Sequence, residues 1–280
     1  MTTRYARLSA KLAKFYGLQQ RLFDLYLGTS TGGGVRGDLA AMDLRRDSLP
    51  YEGSQWPAVS RALAELRPND SEVFVDLGAG KGKALVMAGR LPYRRVVGVE
   101  IDSELANVAR RNMGRVQRKL RAGVVECEIA SVLDWKFPDN ASTVFMYNPF
   151  FGQTFRATLS RVFDSYDRNP RKLHIVYQYP LEHNWLIASG RVVVENVRPV
   201  RYPAPRRWWE GEDEKVIVTY HVTRLPDAPR LPQGADSSPS GQRLPLPSGQ
   251  CLPHARPADS AVMRRWSASV PSLAGKAPAH

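Results

Sequence analysis

Short apolar runs alternate with amphipathic stretches through the middle of the chain. The apolar runs are candidate strands and lie at 73–76, 95–100, 124–129, 143–147, 173–177, 192–197 and 216–222. The amphipathic stretches repeat their apolar residues at helical spacing and lie at 84–88, 103–113, 152–166 and 180–188. Strands that alternate with helices indicate a parallel sheet covered by helices on both faces. No clear helix separates the last two runs, so we expect them to form an antiparallel pair.

The two ends of the chain have a different pattern. Residues 1–27 predict one or two amphipathic helices, and a further helical stretch opens at Tyr51 after a glycine-rich loop. The final 55 residues hold 10 of the 21 prolines, and such a composition predicts disorder because little apolar area can be buried. We therefore divide the chain into an N-terminal helical extension and loop at 1–70, an α/β domain at 71–225 and a disordered tail at 226–280.

The stretch from Asp76 to Gly82 is the strongest candidate for a ligand-binding loop. It follows a predicted strand, opens a predicted helix and places glycines at 78, 80 and 82. Such glycines let the chain turn sharply and let a ligand approach the backbone closely. A phosphate-binding P-loop is excluded, because Gly82-Lys83 is followed by alanine and only three residues separate Gly78 from Gly82. The dinucleotide spacing G-x-G-x-x-G is missed by one residue.

A second acidic residue, Glu100, ends the next predicted strand 24 residues after Asp76. A carboxylate in this place can accept hydrogen bonds from both hydroxyls of a ribose. Enzymes that bind nicotinamide dinucleotides have a similar acidic residue, so Glu100 alone does not identify the ligand. It is informative only in combination with the glycine loop. Ser103 is the expected N-cap of the helix that follows.

These segments resemble class I S-adenosylmethionine-dependent methyltransferases, and particularly a broad bacterial group with a DLGSGKG-type loop. The resemblance covers roughly residues 25–220 and depends on three blocks: VFVDLGAGKGKALVMA, PYRRVVGVEID and LANVARRN. It implies a Rossmann-like, mostly parallel sheet with helices on both faces and a C-terminal antiparallel hairpin, preceded by N-terminal helices. It also implies S-adenosylmethionine as the cofactor.

The resemblance assigns roles to individual residues. Asp76 and the three loop glycines would lie against the methionine part of the cofactor, Glu100 would bind its ribose, and Ile101 would pack on its adenine. The family usually has an aspartate that hydrogen-bonds the adenine amino group, and this chain has Ser131 at that place. Ser131 can still accept a hydrogen bond.

The methyl-transfer site is expected at Asn148-Pro149-Phe150-Phe151, directly after the fourth strand. In N-methyltransferases an Asn/Asp-Pro-Pro-aromatic turn occupies this place, and here Phe150 stands where the second proline would be. The Asn148 oxygen could accept a hydrogen bond from an amine while also contacting the cofactor. Tyr51 is a second candidate for an acceptor or base. The alternative is a plain strand-ending turn with buried phenylalanines. The five histidines have no metal-ligand spacing, so no metal is predicted.

The net charge of +13 and the pI near 10.0 favour binding to an acidic partner. Only six basic and three acidic residues lie from Pro226 onward, so most of the net charge belongs to the preceding part. A nucleic-acid methyltransferase is therefore an alternative to an enzyme acting on a protein or small molecule, and a non-catalytic cofactor-binding adapter is another. Arginines and tryptophans at 201–209 could line a substrate entrance. Two cysteines, no apolar run of membrane length and no secretory signal predict a cytoplasmic protein.

Overall fold

The structure is a computed structural model that describes residues 21–32, 53–54, 56–200 and 216–224. Tyr51, the basic aromatic segment at 201–209 and the tail at 226–280 lie outside these ranges. The helices are α1 at 21–27, α2 at Trp56–Glu65, α3 at Lys83–Gly89, α4 at Ser103–Val116, α5 at Gly152–Arg168 and α6 at His183–Ala188. A short 3-10 turn, Gln117–Lys119, extends α4.

The described residues form one sheet of seven strands. The strands are β1 at Val73–Leu77, β2 at Arg95–Glu100, β3 at Val124–Ile129, β4 at Ala141–Met146, β5 at His174–Gln178, β6 at Val192–Pro199 and β7 at Val216–Val222. Their spatial order is β3-β2-β1-β4-β5-β7-β6. The first five pair in parallel, and β7 pairs antiparallel with both β5 and β6. This confirms the predicted Rossmann-like sheet with its reversed C-terminal hairpin.

Alternate residues of the central strands point into two separate apolar cores, as the period of two in a strand requires. Phe74 of β1 faces the core made with α2, α3 and α4. Its neighbour Val75 faces the opposite core, made with α5 and α6. Both faces of the sheet are therefore covered, which explains why β1, β4 and β5 are mainly apolar and are buried throughout.

Two predicted helix starts are wrong by a few residues, and one predicted N-cap is wrong by one residue. The N-cap of α4 is Asp102, not Ser103, because the Asp102 carboxylate accepts hydrogen bonds from the amides of Glu104 (2.8 Å) and Leu105 (3.1 Å). Within the described residues, α2 begins at Trp56, and residues 53–54 before it are not helical. Helix α6 begins at His183, since 181–182 form a turn.

Helix α1 packs on the same core as the glycine loop. The ring of Phe23 stacks on Trp56 of α2 at 3.7 Å between centroids. The Asp24 carboxylate accepts hydrogen bonds from the hydroxyls of Thr29 and Thr31, both at 2.7 Å, which holds the segment after α1 in place. Lys81 in turn donates to the carbonyl of Gly32 at 2.7 Å. No helix in the described ranges is long and apolar enough to cross a bilayer.

Candidate functional site

A cleft lies at the carboxyl ends of β1 and β4, which are neighbours in the sheet although β2 and β3 come between them in sequence. The chain leaves these two strands in opposite directions across the sheet, and ligands of doubly wound folds bind in the crevice this creates. The glycine loop follows β1, and the turn at 147–151 follows β4. The cleft consists of two adjoining hollows of about 110 and 90 Å³ that share Gly78 and Pro149 as walls.

The first hollow holds most of the charged groups of the cleft. Asp76, Lys83 and Glu100 line it together with Asn148 and Tyr147. The first four of these residues are buried. Polar side chains are rarely buried without a hydrogen-bonding or ligand-binding purpose, so this concentration marks the hollow as functional.

The second hollow is mainly apolar. Its walls come from the end of β2 and the segment after β3, and they include Val99, Ile101, Val132 and Leu133 with Ser131 among them. The Ser131 hydroxyl accepts a hydrogen bond from the amide of Leu133 at 3.2 Å. Its own proton remains to be donated, so Ser131 can still serve a flat heterocyclic ligand.

The charge of Glu100 affects the protonation of Asp76, because both residues are buried. Burial and the charge of Glu100 raise the pKa of Asp76 well above its usual value. Burial also raises the pKa of Glu100, although hydrogen bonds from backbone amides oppose this. The Glu100 oxygens accept from the amides of Gly80 (2.7 Å) and Asp102 (2.9 Å), which fixes the carboxylate across the glycine loop. Two buried neighbouring acids are stabilised by a cation, so this hollow favours a positively charged ligand.

The glycines of the loop have different neighbours. Gly78 has φ of +78°, and a Cβ atom there would lie 2.2 Å from the Cβ of Pro149. The loop and the β4 turn therefore touch at Gly78, at the junction of the two hollows. Gly82 also has positive φ, but a Cβ there would lie 2.8 Å from the Cβ of Ala109 on α4. Gly82 is thus needed for helix packing and does not line either hollow, whereas Gly80 lines the first.

The side chain of Asn148 is hydrogen-bonded to β5 and to the residue that follows it. Its Nδ2 donates to the carbonyl of Tyr179 at 2.6 Å, and its Oδ1 accepts from the Tyr177 hydroxyl at 2.8 Å. Asn148 has φ of +44°, a left-handed conformation that asparagine tolerates better than most residues. The amide of Asn148 therefore stabilises the turn.

The remaining candidates are divided between the hollow and the core. Ile101 is 44% exposed and lies in the wall of the second hollow, where it could cover a ligand. Phe150 also reaches that wall, but it is buried and its ring packs at 6.4 Å from Phe155 of α5. Tyr51 lies outside the described residues.

Two residues of the first hollow, Lys83 and Tyr147, are not among those predicted from the sequence. Lys83 opens an otherwise apolar helix, and a lone lysine among Ala, Leu, Val and Met was the available signal. Tyr147 directly precedes Asn148, so only its position beside the candidate turn could have drawn attention to it. Their position in the lining of the first hollow distinguishes these two from other lysines and tyrosines, and that position depends on the tertiary fold.

A larger groove, of about 640 Å³, lies between α4 and the edge strand β3. Its carboxylates already have partners, because Arg95 binds Glu126 at 2.6 Å and Glu128 at 3.1 Å. Arg110 donates to the carbonyl of Cys127 at 2.9 Å. The groove therefore lacks the unbalanced buried charges of the cleft. No three potential metal-ligating side chains come together among the described residues.

No family model matches the chain, and no curated protein matches its sequence. Among solved structures, it is similar to an RNA methyltransferase from Salinibacter ruber in complex with S-adenosyl-L-homocysteine, at 20% identity over 66% of this chain and 100% of that one, with a TM-score of 0.41. A TehB-like SAM-dependent methyltransferase from Corynebacterium glutamicum is 9% identical over 61% and 90%, with a TM-score of 0.43. A glycopeptide N-methyltransferase complexed with sinefungin is 12% identical over 61% and 88%, with a TM-score of 0.45. These similarities are distant, and the fold of this chain is defined by its own strand order.

Proposed function

We propose that this chain transfers a methyl group from S-adenosylmethionine to a nitrogen of a protein or small-molecule acceptor. The observation that carries the proposal is the pair of buried carboxylates, Asp76 and Glu100, at the glycine loop. A sulfonium ligand with an ammonium group is cationic at two places, so its binding relieves the repulsion between the two acids.

The residues of the cleft suit the parts of this ligand. Asp76 lies in the first hollow and can accept hydrogen bonds from an ammonium group. Each oxygen of Glu100 already accepts one backbone N–H and keeps lone-pair capacity for a ribose hydroxyl. The apolar second hollow, with Ile101 and Ser131 in its wall, can take a purine ring.

The acceptor would enter beside the turn that follows β4. When bound, the donor supplies a methyl group already activated by the sulfonium, so alignment and exclusion of water are the main tasks left to the protein. Asn148 performs the first task indirectly, because its bonds to the segment after β5 hold the turn rigid. The backbone carbonyls of that turn would receive the N–H groups of an amine.

Calorimetric titration of the purified protein with S-adenosylmethionine tests the proposal. We expect binding in the wild type and about tenfold weaker binding in Glu100→Gln, because a charge-assisted contact to the ribose is replaced by a neutral one. Glu104→Gln is the matched control, since Glu104 is exposed on the first turn of α4, away from both hollows. Absence of binding to the wild type would refute the proposed function.

Transfer itself is tested with donor carrying a radiolabelled methyl group and a matched cell lysate. Label entering protein or small molecules supports the proposed acceptor class, and label entering nucleic acid supports the alternative below. Binding of the donor without transfer to any fraction supports a non-catalytic adapter.

A second candidate function, methylation of nucleic acid, is favoured by one observation on α4. Between Leu105 and Val125 the chain has no acidic residue, and its six basic side chains are all exposed: Arg110, Arg111, Arg115, Arg118, Lys119 and Arg121. Such a surface attracts a phosphate backbone. Lys119 is also held against the ring of Tyr26 at 5.0 Å, and Tyr26 is 66% exposed and available for stacking.

Binding of single-stranded RNA over a range of salt concentrations tests this candidate. The slope of log K against log salt is about −0.7 for each neutralised phosphate. Changing Arg111, Arg115 and Arg118 together to glutamine should therefore make the slope shallower by about 2. Arg61→Gln, at an exposed arginine of α2, is the control. If the wild type binds RNA weakly and the triple variant has the same slope as the wild type, this surface does not bind the phosphate backbone.

A further inference from the structure

The amino-acid end of S-adenosylmethionine carries an ammonium and a carboxylate on the same carbon, and the cleft must accommodate both charges. Asp76 and Glu100 suit the ammonium but repel the carboxylate. A carboxylate brought into this buried space without a cation would carry a large desolvation cost. The same hollow must therefore contain a positively charged group if it is to bind the intact ligand tightly.

Lys83 is the positively charged residue in the lining of this hollow. It is the first residue of α3 and directly follows the glycine loop. It lines the first hollow together with Asp76, although only 3% of the residue is exposed. The lining of this hollow, of about 110 Å³, therefore includes both an acid and a base, and a zwitterion needs one of each.

The position of the Lys83 ammonium is stabilised by an aromatic neighbour. Its nitrogen lies 5.3 Å from the centre of the Trp56 ring, within the range of a cation–π contact. Trp56 is itself buried and stacked on Phe23, so the ring cannot move away easily. Long lysine side chains are usually flexible, and this packing restricts the Lys83 side chain before any ligand arrives.

Keeping the Lys83 side chain charged in this buried place costs free energy. Burial lowers the pKa of Lys83 to about 8, although the charge of Asp24 opposes the change. The other residues of α3 are Ala84, Gly89 and the apolar residues between them, all buried. Lys83 is therefore the one charged residue of an otherwise apolar helix.

We propose that Lys83 recognises the carboxylate of the methyl donor, opposite Asp76, which receives the donor's ammonium. This inference depends on the proposed function, because it assumes that S-adenosylmethionine is the ligand. It makes Lys83 a specificity-determining residue: the protein would distinguish the intact donor from one that lacks the carboxylate. Lys83 would take no part in moving the methyl group.

The test compares two ligands that differ only in this carboxylate, S-adenosylmethionine and its decarboxylated form. Binding of each is measured by calorimetry to the wild type, to Lys83→Met and to Lys81→Met. Removing a charge-assisted hydrogen bond from a buried site weakens binding by about tenfold to hundredfold. We expect the wild type to prefer the intact donor by that factor and Lys83→Met to lose most of the preference, through weaker binding of the intact donor alone.

Lys81→Met is the matched control. It removes the same charge from the same loop, but the Lys81 ammonium donates to the carbonyl of Gly32 and lines neither hollow. Its preference between the ligands should equal that of the wild type. Lys83→Gln repeats the test with a polar side chain if thermal melting shows that Lys83→Met is poorly folded.

The outcomes separate the inference from the proposed function. If the wild type binds neither ligand, the proposed function fails and the inference fails with it. If the wild type binds S-adenosylmethionine and both Lys83 variants keep the full preference, or lose affinity for both ligands equally, only the inference is overturned. The second result would mean that Lys83 supports the loop without reading the carboxylate.

Discussion

Substitution of Gly78 by alanine tests whether the glycine loop and the β4 turn are in close contact. Gly78 has φ of +78°, so a side chain adds backbone strain of about 1–2 kcal/mol. The added Cβ would also lie 2.2 Å from the Cβ of Pro149, against a practical minimum of 3.0 Å, so the loop and turn must separate by about 0.8 Å. The turn resists this movement because Asn148 anchors it to the segment after β5.

Gly28→Ala provides the reference for the backbone strain alone. Gly28 has nearly the same φ, +75°, but a Cβ there would meet no atom within 4 Å. We expect about 1 kcal/mol of destabilisation for Gly28→Ala. Overpacking adds about 1–3 kcal/mol, so Gly78→Ala should lose about 3 kcal/mol in total. At about 2–4 °C for each kcal/mol, the melting temperatures should fall by about 3 °C and about 6–12 °C respectively.

The assay combines thermal melting with calorimetric titration of S-adenosylmethionine. Gly78 lines both hollows, so Gly78→Ala should also weaken binding at least about tenfold, whereas Gly28→Ala should bind like the wild type. Equal destabilisation by the two substitutions would refute the close contact between Gly78 and Pro149. Unchanged affinity in a folded Gly78→Ala would refute the placement of the ligand at the junction of the hollows.

Three further predictions follow from the same cleft. Asp76→Asn should raise the melting temperature of the ligand-free protein and weaken donor binding about tenfold or more, because it removes a buried acid that needs a cation. Since the folded-state pKa of Asp76 is raised, its contribution to stability is complete below pH 3.8 and is lost as the pH rises through the raised pKa. Urea unfolding at several pH values should therefore show a smaller loss of stability with rising pH in Asp76→Asn than in the wild type. Parallel stability profiles of the two proteins would contradict this. Asn148→Ala should destabilise the fold by about 2–3 kcal/mol because it removes the acceptor for the proton of the buried Tyr177 hydroxyl, and in Tyr177→Phe the further effect of Asn148→Ala should be smaller in a double-mutant cycle. Gly82→Ala should lower the melting temperature through its contact with Ala109 while leaving the affinity of the remaining folded protein within about threefold of wild type; a large loss of affinity at unchanged stability would place Gly82 against the ligand instead.

The strand pattern was the part of the fold most readable from sequence. The seven apolar runs correspond to the seven strands, and β2, β3 and β7 have the predicted bounds. Strands buried on both faces form continuous apolar runs, and this signal does not depend on distant residues. The sequence predicted the helix starts less accurately than the strands, because capping depends on which nearby side chain reaches the free amides. Asp102 and Ser103 are both good caps, and only the structure shows that Asp102 is used.

The position of the cleft was also predictable from the sequence, because it depends on the local spacing of a few residues. Asp76, the alternating glycines and Glu100 are specified by one strand-loop-helix unit and the strand that follows it. The structure brings Asp76 and Glu100 together in the first hollow, as that spacing predicts. Their assignment to particular parts of the cofactor remains a prediction.

The direction of side chains was decided only by tertiary structure. The spacing that identified Asn148 could not show that its amide is bound to Tyr177 and Tyr179, which are about thirty residues away in sequence. Nor could it show that Gly82 faces α4 while Gly78 faces the β4 turn, since both glycines have positive φ and belong to one motif. The sequence alone determined the order of strand, loop and helix and the two acidic residues of the cleft, because these follow from local periodicity and spacing. Which groups line the cleft, including the buried Lys83, was decided by packing between segments that are far apart along the chain.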